Sequence, residues 1–229
     1  MMSQGFARSK CDHCVYFKTL NDEKFLILVL YVDDMLIASH GMSDIDVLKT
    51  QLSGTFEMKD LGAVNRVLGI DIHRDRKRSR LWLSQEEYLE KVLKKYEMDK
   101  SKPVSVPHAA HFKLSSEHYP KTDEEKHVMS HVPYSSIVGS LMYVMVYTRP
   151  DISQAMRVVS RFMSNPGKQH CEAMKWLLRY IRGTQDYVLT FEKSKDKLVG
   201  YVDSDYAGSV DNRRSTLGYS FVLAGGAIS

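Results

Sequence analysis

The sequence is poor in cysteine, lacks a membrane-length apolar run and is not dominated by charge of one sign. Its 229 residues hold three cysteines, Cys11, Cys14 and Cys171. They are too few and too scattered for a disulfide framework, so a reducing compartment is the expected setting. Cys11-Asp12-His13-Cys14 has the spacing of half a zinc site. No second CxxC follows, which favours free thiols. The apolar stretch from Phe25 to Ala38 contains two acids, and a membrane span needs about 20 apolar residues. The first fifteen residues are polar and basic, without the apolar core of a signal peptide. These absences predict an intracellular, cytoplasmic chain with no membrane partner. There is no internal repeat. A net charge of +4 permits a polyanionic partner without demanding one. Length and a hydrophobic content of 43% allow one large domain or two small ones.

The most informative positive feature is the run Phe25 to Tyr31, which enters Val32-Asp33-Asp34 and leaves through Met35 to Ala38. It reads as two buried strands around a tip with adjacent carboxylates. Unpaired buried charge is costly, so a divalent metal is one compensation and an ordinary Asp-Asp turn is the other. Adjacent strand residues point to opposite faces. A site for two cations about 3.5–4 Å apart would therefore need a further carboxylate from another strand.

Beyond the hairpin, Ser43 and Asp44 can cap a helix to Ser53, with Gly54 ending it. Val67 to His73 alternates like a half-buried strand. A basic tip, Arg74 to Arg80, and a return strand, Leu81-Trp82-Leu83, come next. Ser84 and Glu87 have capping-box spacing for a helix running to about Met98. Lys100 to Tyr119 lacks periodicity and reads as an extended linker, with His108, His111 and His118 as linker polarity. Helices are predicted from Tyr134 to Tyr147, from Asp151 as cap to near Asn165, and from Lys168 to Arg182, closed by Gly183. Met142, Met145, Met156, Met163 and Met174 are predicted to fill a helical core. Strands return at Leu198 to Asp203 and Ser215 to Leu223.

The segment LYVDDMLIAS, residues 30–39, resembles the active-site hairpin of reverse transcriptases. The resemblance extends over nearly the whole chain to the copia superfamily of long-terminal-repeat retrotransposons, most closely its plant members. It is carried by GFARSKCDHCVYF (5–17), FEMKDLG (56–62), VLGIDIHR (67–74) and LWLSQEEYLEKVL (81–93). YSSIVGSLMYVMVYTRPDISQAM (134–156), RYIRGT (179–184), GYVDSDYAG (200–208) and DNRRSTLGYSF (211–221) follow in order.

The resemblance implies an α+β chain. Residues 1–99 would be a partial reverse-transcriptase palm with its YVDD β-hairpin, the primer grip and the start of the thumb. Residues 100–133 would be linker and 134–192 the helical thumb and connection region. Residues 193–229 would be the first strands of an RNase H-like α/β domain. Asp33 and Asp34 are similar to the metal-site aspartates of the palm, with Tyr31 near the primer end. Leu68-Gly69-Ile70 is similar to the strand that grips the primer, where Gly69 would let backbone approach nucleic acid. Arg74, Arg76, Lys77, Arg78 and Arg80 would either touch duplex phosphates or form a solvated turn. Asp203 is similar to the first metal-binding acid of RNase H; Asp205 is given no catalytic role. Arg213, Arg214 and Ser215 are similar to the family's turn between strands, which could touch backbone or simply lie at the surface. Mg2+ or Mn2+ is the implied cofactor, not tightly held. Template–primer duplex of RNA or DNA and the remaining Pol segments are the implied partners.

The family pattern also has a first palm aspartate on a strand upstream of the YVDD hairpin. The acids that precede Tyr31 here, Asp12, Asp22 and Glu23, lie in polar context. The later acids of RNase H are likewise not matched. Both sites are therefore expected to be partial and the isolated chain inactive as polymerase or nuclease. The alternative is a non-catalytic relic with weak nucleic-acid binding through residues 74–102, which hold ten Lys and Arg against six Asp and Glu.

Overall fold

Alternating apolar residues between Phe6 and Ser39 build a four-stranded antiparallel sheet. In this computed structural model, residues 5–21, 24–193 and 197–228 are described. Asp22 and Glu23, considered above as acids near the hairpin, lie outside them. The chain divides into two compact units, Met1–Val64 and Asn65–Ser229.

In the first unit, β1 (Ala7–Arg8), β2 (Val15–Asn21), β3 (Lys24–Tyr31) and β4 (Asp34–Ser39) pair in sequence order. Leu26 and Leu28 of β3 are buried against Leu48 and Leu52 of helix α1 (Met42–Ser53), with Phe6 completing the cluster. Side chains alternate across a strand, so Phe25, Ile27 and Val29 occupy the opposite face. Phe25 is exposed there and Ile27 and Val29 are half-buried. The run that reads as a buried strand is thus fully covered on one face only. Gly41, not Ser43 or Asp44, occupies the N-cap of α1. The Asp44 carboxylate instead accepts a hydrogen bond from the Ser39 hydroxyl at 3.3 Å.

The second unit has a four-stranded sheet of β5 (Arg66–Val67), β6 (Ile70–Asp75), β7 (Arg80–Ser84) and β8 (Leu189–Glu192), in that order. β8 arrives from the far end of the chain. Between them lie α2 (Glu86–Lys95), α3 (Asp123–Ser130), α4 (Tyr134–Tyr147), α5 (Ser153–Ser160) and α6 (Lys168–Gly183). Leu89, Val92 and Leu93 of α2 join Val138, Leu141 and Val144 of α4, Met156 and Val159 of α5, and Met174, Leu177 and Ile181 of α6 in one core. Met142 and Met163 remain exposed, against expectation. A three-stranded sheet of β9 (Val199–Ser204), β10 (Leu217–Leu223) and β11 (Gly226–Ala227) ends the chain.

The Ser84–Glu87 capping box does not form. Glu87 pairs with Arg66 and Lys91, while the Ser84 hydroxyl accepts from the Glu86 N–H. α3 is absent from the expected helices because none of its side chains is buried, so it leaves no apolar stripe. The extended segment before it is held by α6. The Trp176, Arg179 and Arg182 side chains donate to the carbonyls of Val106, Lys102 and Asp99 at 2.9, 2.7 and 2.6 Å. Donors spaced three residues apart lie on one helix face, which lets α6 bind an extended strap along its length.

Two buried polar groups hold the helical region together. Arg149 is 1% exposed. Its Nε and Nη2 donate to both oxygens of Asp151 at 2.9 and 2.8 Å. Nη1 donates to the Thr184 carbonyl at 2.8 Å and Nη2 to the Thr184 hydroxyl at 2.7 Å. The rings of Tyr180 and Tyr187 lie 5.6 and 5.3 Å from the guanidinium carbon. Asp151 is thus committed to Arg149 and does not cap a helix as expected. Burial acts to raise its carboxyl, but the hydrogen bonds and charge of Arg149, with the Tyr180 hydroxyl, outweigh that and hold it below the ordinary carboxylate value.

His170 is fully buried and stacks on Phe162 at 4.0 Å. Nδ1 accepts from the Gly167 N–H at 2.8 Å, so the proton is assigned to Nε2, 3.1 Å from the Ser115 carbonyl. Both ring nitrogens are satisfied only in the neutral form. Desolvation lowers the His170 pKa, His118 adding to the effect, while the Ser115 carbonyl and Asp211 oppose it.

Breaking a buried ion pair by removing one partner costs about 3–5 kcal/mol. Arg149→Met is therefore expected to destabilise the chain by that order in urea unfolding. Arg149→Lys should lose most of it too, since an ammonium cannot reproduce the fork. A loss below about 1 kcal/mol for either would contradict this account. Because the folded His170 pKa is depressed, the unfolded chain takes up its proton first as pH falls. Stability from this residue is complete above the unfolded value near 6.5 and declines below it, by at most about 1.4 kcal/mol per pH unit. Urea titrations across that range should show the decline, and His170→Gln should flatten it.

Candidate active site

The carboxylate tip belongs to the first unit. Register pairs Tyr31 with Asp34 directly across β3 and β4, leaving Val32 and Asp33 as a two-residue loop. Asp33 therefore sits in the turn and Asp34 opens β4, beside Tyr31 on one face of the sheet. All three are exposed. Two-residue hairpin loops match strand twist when the first central residue has positive φ. Val32 meets that need at φ 51°, although a β-branched residue is strained there, and the residue is 89% exposed. Strained, exposed turn residues are a mark of functional tips.

Hard carboxylate oxygens held open at the end of a paired hairpin suit Mg2+ or Mn2+. Two such groups are fewer than a two-cation centre requires. Among the described residues, no group of three or more His, Cys, Asp or Glu is placed to hold a metal.

The other residues singled out from the sequence lie in the second unit. Leu68 and Gly69 form the loop between β5 and β6, with φ of 50° and 70°. Positive φ at both positions is a type I′ pattern, which explains the glycine by backbone geometry alone. The Tyr143 hydroxyl of α4 donates to the Leu68 carbonyl and fixes this turn from behind.

β6 and β7 close at the Asp75–Arg80 pair, so Arg76, Lys77, Arg78 and Ser79 form the loop. The five cations are not equivalent. Arg80 pairs with Glu192 of β8 at 2.8 Å, and Arg78 with Asp75 at 3.6 Å. Arg74, Arg76 and Lys77 are exposed and form no salt bridge among the described residues.

Asp203 lies exposed on β9, opposite Gly218. Asp205 organises the loop that follows. Its carboxylate accepts the Thr216 N–H, which lowers its pKa, while Ser215 accepts from the Ala207 N–H. Asp211 accepts from the backbone and hydroxyl of Ser116, both at 2.9 Å. Sequence reasoning missed that role, and no local pattern signals a partner 95 residues away.

Residues 1–110 match the family model described as Reverse transcriptase (RNA-dependent DNA polymerase). A retrovirus-related Pol polyprotein from transposon TNT 1-94 of Nicotiana tabacum is 54% identical over all 229 residues. A putative transposon Ty5-1 protein of Saccharomyces cerevisiae is 32% identical over 98% of the chain and 71% of its own length. The chain belongs to the copia-type retrotransposon Pol family. It is also 38% identical, over 89% of its length, to an uncharacterized mitochondrial protein of Arabidopsis thaliana, 81% of which is covered. No solved structure matches significantly. The chain spans 17% of the tobacco polyprotein's length. The region matching the reverse-transcriptase family holds the Val32-Asp33 turn, the Leu68-Gly69 turn and the basic tip. Among the described residues no helix is long and apolar enough to cross a membrane.

Asparagine tolerates positive φ better than valine. Val32→Asn is expected to raise the unfolding free energy by about 1 kcal/mol, read as a higher thermal midpoint. Gly69→Ala should lower it by a similar amount or more.

Proposed function

We propose that this chain is the hairpin, primer-grip and thumb portion of an RNA-directed DNA polymerase, followed by the first strands of an RNase H-like domain. The observation that carries this reading is the strained Val32-Asp33 turn, which exposes Asp33 and Asp34 at the end of a rigid β-hairpin in a chain of reverse-transcriptase family. Strand-borne carboxylates keep a fixed spacing while their oxygens stay open to ligand.

In this reading Asp33 and Asp34 hold Mg2+ or Mn2+ together with a carboxylate from another Pol segment. Such cations, when bound, activate a primer hydroxyl and neutralise phosphate charge. Tyr31, across from Asp34, borders the primer end. The Leu68-Gly69 turn presents backbone to the primer strand. Arg74, Arg76 and Lys77 contact duplex phosphates without reading sequence, whereas Arg78 and Arg80 serve mainly to shape the tip through Asp75 and Glu192. Asp203 supplies one carboxylate to the RNase H-like site and needs further acids to hold a metal. The partners are template–primer duplex and the remaining Pol segments.

The isolated chain is inactive as a polymerase, because one carboxylate pair cannot position two cations. Purified chain incubated with primer–template, nucleotides and Mg2+ or Mn2+ is expected to give no primer extension. Extension abolished by Asp33→Asn would contradict that statement. The same chain should bind duplex with an affinity that falls linearly with the logarithm of salt, by a slope of about 0.9 per phosphate contact. Absence of binding at low salt would remove the nucleic-acid half of the reading.

A further inference from the structure

We propose that the phosphate contacts of the β6–β7 tip continue into an adjoining cleft, where Lys193 supplies an additional contact to the nucleic-acid backbone. This rests on the reading of the tip as a duplex contact. The cleft has a volume of about 400 Å3 and lies between Arg74 and Arg76 on the tip, Phe191 and Lys193 at the end of β8, and Ala224 in the β10–β11 turn.

The walls of this cleft are fixed by backbone. β8 pairs with β7 from Leu83–Leu189 to Arg80–Glu192, and the Lys193 N–H then donates to the Ser79 carbonyl at 3.1 Å. Lys193 is thereby held at the base of the tip. The Glu192 N–H donates to the Ala224 carbonyl at 2.6 Å, bringing the β10–β11 turn against β8. That approach requires Gly226, where a Cβ would meet the Phe191 ring at 2.6 Å and the Thr190 carbonyl at 2.9 Å.

Charge then selects the ligand. Of the cleft's charged side chains, Arg80 is matched by Glu192 at 2.8 Å, and Asp75 by Arg78 at 3.6 Å. Arg74, Arg76 and Lys193 are left as exposed cations with no salt-bridge partner among the described residues. Like charges gathered around one opening repel one another, which disfavours the folded chain unless an anion joins them. Three cations in an open cleft continuous with a hairpin tip fit successive phosphates of a backbone better than one small anion. The strands after β8 would then help to shape the duplex path.

The test is fluorescence anisotropy of a labelled RNA–DNA duplex with the full chain over a salt series. Lys193→Ala retains the backbone bond to Ser79. It should reduce the slope of log affinity against log salt by about 1 and weaken binding equally for unrelated sequences. Its thermal midpoint should not fall, since removing one of three like charges relieves repulsion. Lys126→Ala, on α3 outside the cleft, should leave the slope as in the unaltered chain. If Lys193→Ala keeps the full slope while Arg74→Ala and Arg76→Ala reduce it, the cleft proposal falls and the tip contact stands. If the unaltered chain does not bind duplex at low salt, both fall. If inorganic phosphate at matched ionic strength displaces the duplex and Lys193→Ala removes that competition, the cleft is a small-anion site and the proposal is overturned.

Discussion

The fold of the second unit depends on one buried guanidinium. Arg149 follows α4, and its partners come from Asp151, two residues on, and Thr184, just past the end of α6. An arginine taken out of water is tolerated only when its donors are met. The geometry that meets them fixes the end of α4 against the end of α6. The YTRPDI and RYIRGT segments are therefore two halves of one structural device, in which Arg149, Asp151, Tyr180 and Thr184 form a closed network. Arg179 and Arg182, from the same short segment, secure the strap by hydrogen bonds to its carbonyls. α6 thus organises both its buried and its outer face.

The same helical region steadies the β5–β6 turn. Tyr143 of α4 holds the Leu68-Gly69 turn, and the aromatic contacts of Tyr143 with Tyr88 and Tyr147 anchor that side chain. A turn with positive φ at both loop residues is costly unless its surroundings determine it. The helical core supplies that determination. The carboxylate hairpin of the first unit is built differently. Its strain at Val32 is balanced by the ladder of β3 and β4 and by the small Leu26, Leu28, Leu48 and Leu52 core.

Much of this was legible in the sequence where a periodic apolar stripe met a strong stop. α4 spans Tyr134–Tyr147, as its apolar content before Arg149-Pro150 predicts, and α6 begins after Pro166-Gly167 and ends at Gly183. Patterns were less informative where side chains found distant partners. Ser84 and Glu87 have capping-box spacing, yet Glu87 is drawn to Arg66 and Lys91. Thr122 and Glu125 have the same spacing and do form the box, around a helix with no buried face. Asp151 looks like a cap and is instead the counter-ion of a residue type that is seldom buried. At the candidate site, the two acids and the hairpin were legible. The inequality among the five tip cations was not, because Glu192 lies far along the chain.

The proposed function requires the Tyr31–Asp34 tip to bind a divalent cation. Titration of isotope-labelled chain with Mn2+, followed by paramagnetic broadening of backbone amide signals, tests it most directly. Weak binding is expected to broaden the amides of Tyr31, Val32, Asp33 and Asp34 first, and Asp33→Asn with Asp34→Asn to remove the effect. Uniform broadening, or broadening centred on other acids with this tip untouched, would contradict it.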